Sequence, residues 1–195
     1  MYKLCKTEQS ATRQRQLEQG LLEIMCTKHY DELSISDLCD RLGIPRKSFY
    51  RYFGSKDGAL QALIDHTLME FEDYTVRYRQ GKTRSIYLDM DSFFQFWLEK
   101  KDLLDGLQRS GISGILVNRA VAFALSDDVL PIRFLPGDNY TMQQHITMFG
   151  VCGLMSMMLN WHDNGYEQSV AEMSRIAVRM ISKPLFPNVD EHVKE

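Results

Sequence analysis

The sequence predicts an all-α protein: an N-terminal three-helix unit with a helix-turn-helix, followed by a larger C-terminal helical bundle, about nine helices in total. Three observations carry this expectation. Apolar residues recur at helical spacing through most of the 195 residues, and strand-like patterns are confined to short β-branched fragments. Ser, Thr, Pro and Gly stand where such helices should start and stop. Charge is divided along the chain: residues 1–60 hold ten Lys/Arg against eight Asp/Glu, residues 61–195 thirteen against eighteen, for a net charge of −3. A basic end of this kind suits a polyanion.

The first helix is expected from about Thr12, as its cap, to Lys28. Leu17, Leu21, Ile24, Met25 and Lys28 follow the spacing of one face. His29–Glu32 forms a turn. Ser34 then caps a second helix, with Asp37 three residues on as the acidic variant of the capping box. Ile35, Leu38, Cys39 and Leu42 face inward, and Gly43 ends the helix as a left-handed residue. Pro45 fits the first turn of a third helix, where a missing N–H is harmless. On that helix Phe49 and Phe53 share the inner side, and Lys47 and Arg51 point the opposite way. Arg46 and Tyr50 form one flanking stripe, Ser48 and Tyr52 the other. Ser55 caps a long fourth helix reaching about Tyr78, with Leu60, Leu63, Ile64, Thr67, Leu68 and Phe71 on its buried face. A module boundary near residue 65, inside that helix, separates residues 1–65 from 66–195.

Further helices are expected over Leu88–Glu99, Asp102–Arg109, Ser113–Ser126, Asn139–His162 and Gln168–Ser182, with a loop over Asp127–Asp138. The stretch 139–162 has no Asp, Glu, Lys or Arg. Its apolar core, Ile146–Leu159, is too short for a bilayer, so it is read as a buried or subunit-facing helix. Gly150, Gly153 and Ser156 recur every three residues and would admit a close partner helix.

The third helix concentrates the chemistry. Arg41, Arg46, Lys47, Arg51 and Lys56 fall within sixteen residues that contain no carboxylate. A run of charge is ordinarily a solvated face, but here nothing nearby neutralises it. A basic helix on a small apolar scaffold is what the DNA major groove accepts.

Residues 10 to 60 resemble the DNA-binding domain of the TetR (tetracycline-repressor) family. The motifs are Ser-Ile-Ser-Asp-Leu, Leu-Gly-Ile, Phe-Tyr-Arg-Tyr-Phe and Gly-Ser-Lys-Asp in that order, behind a first amphipathic helix. The resemblance implies that Tyr50 meets a phosphate and that Lys56 holds the DNA backbone. It places Arg46, Lys47 and Ser48 at base edges, with Ser36, Arg51 and Tyr52 beside them and Thr12 and Arg13 near phosphates. Two departures stand out. Lys47 occupies a position where many members have glycine, and Pro45 replaces the usual capping Ser/Thr.

The same resemblance makes residues 66–195 a dimerisation and effector-binding domain. It implies a homodimer through the last two long helices, at Gly150, Gly153, Ser156, Met157, Met173, Ile176 and Met180. A largely apolar effector pocket would involve Phe93, Phe96, Trp97, Phe123, Met142, Met148, Met155 and Trp161. A bound effector would release a palindromic operator. The alternative is a protein-interaction adaptor or coactivator of the same fold without its own operator.

An enzyme is not expected. His29, His66, His145, His162 and His192 have no metal-ligand spacing, and there is no phosphate loop, nucleophile elbow or paired-carboxylate motif. No metal, cofactor or catalytic residue is assigned. Cys5, Cys26, Cys39 and Cys152 form no CxxC pair. The opening residues lack the apolar core of a signal peptide, so the expected compartment is the cytoplasm, away from any membrane.

Overall fold

The computed structural model describes residues 2, 5, 7–126 and 140–183. Among these, the chain forms nine helices: α1 (Glu8–Met25), α2 (Ile35–Arg41), α3 (Arg46–Tyr52), α4 (Lys56–Arg79), α5 (Ile86–Glu99), α6 (Lys101–Arg109), α7 (Ser113–Ala124), α8 (Tyr140–Asp163) and α9 (Val170–Ser182). The all-α expectation holds. The predicted loop over 127–138, with Asp127 and Asp128, and His192 lie outside the described residues.

α1 begins earlier than expected. Thr7 is the cap, its hydroxyl accepting from the Ser10 N–H at 3.3 Å, so Thr12 sits inside the helix and is exposed. Lys28 lies beyond the helix end and pairs with Asp37 at 3.1 Å, so it leaves the apolar face. Leu17, Leu21, Ile24 and Met25 are buried as predicted.

The α2 boundaries follow the local chemistry. Ser34 and Asp37 form the reciprocal capping box. Asp37 is held below the ordinary carboxylate range, first by the Ser34 N–H and then by Lys28. At the other end Gly43 takes φ +60°, which lets the Ile44 N–H reach the Cys39 carbonyl at 2.9 Å and its own N–H reach that of Asp40 at 3.2 Å. A different glycine controls how α1 meets α2. A Cβ on Gly20 would lie 2.4 Å from Leu42 Cδ2, so the close approach depends on a missing side chain.

Phe49 and Phe53 are fully buried in the core of this unit, ring centroids 5.2 Å apart. α4 then continues into the C-terminal bundle and packs on α1, α5 and α7, which makes it the shared element of the two regions. α5 starts at Ile86, capped by Ser85, two residues before the expected start. Phe94 stands edge-on to Trp161 at 5.6 Å, and the Trp161 indole N–H donates to the Gln168 carbonyl at 2.8 Å, fixing the turn into α9. No helix among the described residues is long and apolar enough to cross a membrane.

Candidate nucleic-acid interface

The turn between α2 and α3 presents α3 with one side down and one side out. Phe49 is buried, whereas Arg46, Lys47, Tyr50 and Arg51 are exposed, Tyr50 by 49%. Ser48 is half-buried at the edge. Arg46 Nη2 donates to the Ser36 hydroxyl, which joins the first turns of α2 and α3 on one surface. None of Arg41, Arg46, Lys47, Arg51 or Lys56 makes an ion pair among the described residues. Unneutralised cations on one exposed face are the electrostatic footprint of a phosphate-binding surface.

Tyr52 departs from the expected outward flank. It is only 6% exposed, packs against Phe53 and carries Arg51 on its outer side, with Arg51 Nη2 donating to its hydroxyl at 3.1 Å. Its role is to brace Arg51 from beneath. The chain turns to extended backbone at Phe53, so the last residue of α3 is drawn into the core.

Lys56 is held at the base of the same surface. Its ammonium donates to the carbonyls of Tyr30 (2.6 Å) and Leu33 (2.9 Å) and stands 4.2 Å from the Tyr30 ring centroid. An ammonium has three donors, so one remains for an outside acceptor. Tyr30 was missing from the expected site, yet it organises this corner. Its phenol donates to Asp57 Oδ1 at 2.8 Å, and burial, followed by that hydrogen bond, raises its pKa. The sequence signal was slight: one tyrosine in a short turn. Thr12 and Arg13 are exposed on α1, with Arg13 Nη1 bonded to Gln16 Oε1 at 3.0 Å.

The aromatic and methionine residues expected around an effector lie mostly in the core. Phe93, Phe96, Trp97, Met155 and Trp161 are buried, and Phe123 is half-buried. Met142 and Met148 depart from the group: both are exposed, on a helix whose outer side also carries Phe149 at 74% exposure. A cleft of about 430 Å³ lies elsewhere, between α1, α4 and the α5–α6 junction. It is lined by polar residues including Arg15, Glu18, Glu70, Glu99 and Lys100.

Of the expected interface residues, Gly153, Ser156, Ile176 and Met180 are exposed, and Gly150 and Met157 are half-exposed. Met173 is buried in the chain's own core, so it is unavailable to a partner. Phe149 and Ile181 are exposed apolar residues that spacing alone did not single out.

Cys26 and Cys39 behave as packing thiols. Burial raises both pKa values, and it raises that of Cys5 as well.

A capped scaffold helix, a glycine turn and an exposed basic second helix define a helix-turn-helix DNA-binding protein. Residues 22–63 match the family described as bacterial regulatory proteins, tetR family. Over 55 residues the chain is 46% identical to the HTH-type transcriptional regulator EthR of Mycolicibacterium smegmatis, a match covering 28% of this chain and 22% of that protein. The helix-turn-helix region of the chain is therefore of the tetR-family type, and the chain spans less than a quarter of the length of that curated relative. The wider fold is also similar to solved structures. The fatty acid degradation regulator FadR from Bacillus halodurans aligns with a TM-score of 0.60 at 13% identity, over 93% of this chain and 98% of its own. A tetR-family transcriptional regulator from Streptomyces coelicolor aligns with a TM-score of 0.57 at 23% identity, over 85% and 79%. At these identities the likeness describes the fold.

Proposed function

We propose that the protein is a cytoplasmic repressor that binds a palindromic operator as a homodimer and is released by a small, largely apolar effector. Residues 1–65 read DNA, and residues 66–195 dimerise and bind the effector. The observation that carries this reading is the uncovered cationic face of α3. Arg46, Lys47 and Ser48 meet base edges, with Ser36, Arg51, Tyr50, Lys56, Thr12 and Arg13 on or near phosphates. An arginine on guanine O6 and N7 supplies roughly 1–3 kcal/mol of discrimination.

A seven-residue helix spans few base pairs, so two copies related by a two-fold axis are needed for useful affinity. The exposed side chains of α8 and α9, Phe149, Ile176, Met180 and Ile181, supply the apolar surface for that pairing. Effector binding is supported by Trp97: its buried indole N–H has no acceptor among the described residues, a donor that an effector oxygen would satisfy.

The test is a gel shift against DNA immediately upstream of the protein's own gene, at two salt concentrations, with the wild type and the Tyr50→Ala, Lys47→Ala double variant. A tight, salt-sensitive shift lost in the variant supports operator binding. A shift unaffected by the substitutions refutes the assignment of α3.

A further inference from the structure

α6 belongs to the bundle, yet its end is built into the corner that holds Lys56. The helix closes at Ser110, where Gly111 takes φ +66° and the Ile112 N–H returns to the Leu107 carbonyl at 3.0 Å. That closure sets the Ser110 hydroxyl, which accepts the backbone N–H of Tyr30 at 3.0 Å. One residue earlier, Arg109 Nη1 donates to the Cys26 carbonyl. Gly106 lets the two helices meet closely, since a Cβ there would lie 3.2 Å from Met25 Cβ. The turn after α1 is therefore fastened to α6 by Arg109 and Ser110, and to α2 by the Lys28–Asp37 pair. A different fastening lies farther along α4, where Arg119 of α7 donates to Asp65, Nε at 2.7 Å from Oδ1.

The turn in its place holds the ammonium of Lys56. The Tyr30 carbonyl accepts from the Leu33 N–H at 3.1 Å and from Lys56 Nζ at 2.6 Å, which uses both lone pairs of that oxygen. The Leu33 carbonyl takes a second ammonium proton at 2.9 Å. The Tyr30 phenol donates to Asp57, and its ring centroid stands 4.2 Å from Nζ. Tyr30 is thus bound at its N–H by the end of α6, at its carbonyl by Lys56 and at its phenol by the first turn of α4. The N–H and the carbonyl flank one Cα, so the peptide that Ser110 pins sets the direction of the carbonyl that Lys56 uses.

We propose that Ser110 is a positioning residue for DNA: from the end of α6 it fixes the turn whose carbonyls aim the third ammonium proton of Lys56 at a backbone phosphate. This rests on Lys56 being a phosphate contact, and it adds a residue of the bundle to the DNA-binding apparatus. Ser110 acts through Lys56 and does not itself touch the duplex. A merely structural Ser110 would lower stability and leave the contribution of Lys56 unchanged.

The test has two readouts on the full-length protein. Trace acetylation with acetic anhydride, followed by mass spectrometry, reports on the ammonium without DNA. Lys56 should react ~3-fold faster in Ser110→Ala than in the wild type, on the order of one hydrogen bond, with Lys47 unchanged as the internal standard. Ser110→Thr keeps the hydroxyl and should restore the wild-type rate. The second readout is affinity for a mixed-sequence duplex at low salt, by fluorescence anisotropy, because phosphate contacts do not depend on sequence. Affinity should fall ~3-fold in Ser110→Ala and should not fall when the same change is made in Lys56→Gln. If Ser110→Ala loses the fold, Ser110→Cys, a weaker acceptor of similar size, takes its place. Unchanged labelling of Lys56 overturns the proposal. So does a loss of affinity that persists in the Lys56→Gln background. A wild type that binds no duplex, while Ser110 still governs Lys56 labelling, overturns it through the DNA reading on which it rests, and the labelling tells the two failures apart.

Discussion

Lys47 and Phe149 mark two exposed helical surfaces, one on α3 and one on α8. The surface around Lys47 is cationic, set on buried aromatic rings and without ion pairs among the described residues. The surface around Phe149 is apolar: Phe149 is 74% exposed, and Met148 and Cys152 are also exposed. Charge of one sign names its complement, because phosphate is the polyanion that such a face meets in a cell. Exposed apolar area says only that water is a poor partner for it. The chemistry of the first surface therefore points to a ligand class, while the second shows only an apolar face, which we propose a second copy of this chain covers.

The largest effect should come from breaking the apolar side of this contrast. Phe149→Lys is expected to shift the protein from dimer to monomer in sedimentation analysis. Operator affinity should then drop by ~10²–10⁴-fold, the advantage of two linked reading heads. A variant that remains dimeric with full affinity would remove α8 from the interface.

A smaller and more selective loss should follow Arg46→Ala with Lys47→Ala. Affinity by fluorescence anisotropy is expected to fall by ~100-fold, with a shallower dependence on salt. The dimer should be untouched. Equal affinity for the variant would move the reading surface off α3.

The smallest effects concern the helix caps, one on each side of the comparison. Ser34→Ala should lower stability to urea by ~1 kcal/mol through loss of the α2 cap. Acid should weaken both caps together. Asp37 and Glu172 have pKa values lowered in the folded state, Glu172 chiefly by the Ser169 hydroxyl. Their contribution is complete above the unfolded carboxylate range and is lost as pH falls through the depressed values. Urea midpoints measured from pH 7 downward should decline on that limb, and Ser169→Ala with Ser34→Ala should flatten it. Salt, by contrast, should weaken DNA binding far more than it weakens the apolar interface.

The parts of the molecule that were legible are those written in local chemistry. Ser34 with Asp37 located α2, Gly43 located its end, and the Phe49–Phe53 spacing oriented α3. Local rules failed where several residues satisfy the same rule. Thr7 and Thr12 are both competent caps, and the Ser10 N–H selects Thr7. Tyr52 looked like a surface phenol because periodicity assumes the helix continues, whereas the backbone turns extended at Phe53. Met142 and Met148 have the same composition signal as a core methionine, and only tertiary placement separates them. Arg119 and Asp65 are 54 positions apart, and no spacing rule joins residues so distant.

Gly20 and Gly43 are both restricted positions, for opposite reasons. At position 43 the requirement is a backbone with positive φ and open space around the Cα, so asparagine should recur there as a tolerated replacement. At position 20 the backbone is ordinary helix and the restriction is volume, imposed by Leu42. Replacements there should therefore be rescued by trimming residue 42. Gly20 would evolve with Leu42, whereas Gly43 would evolve alone, so paired randomisation of 20 and 42 would recover combinations that neither position yields by itself.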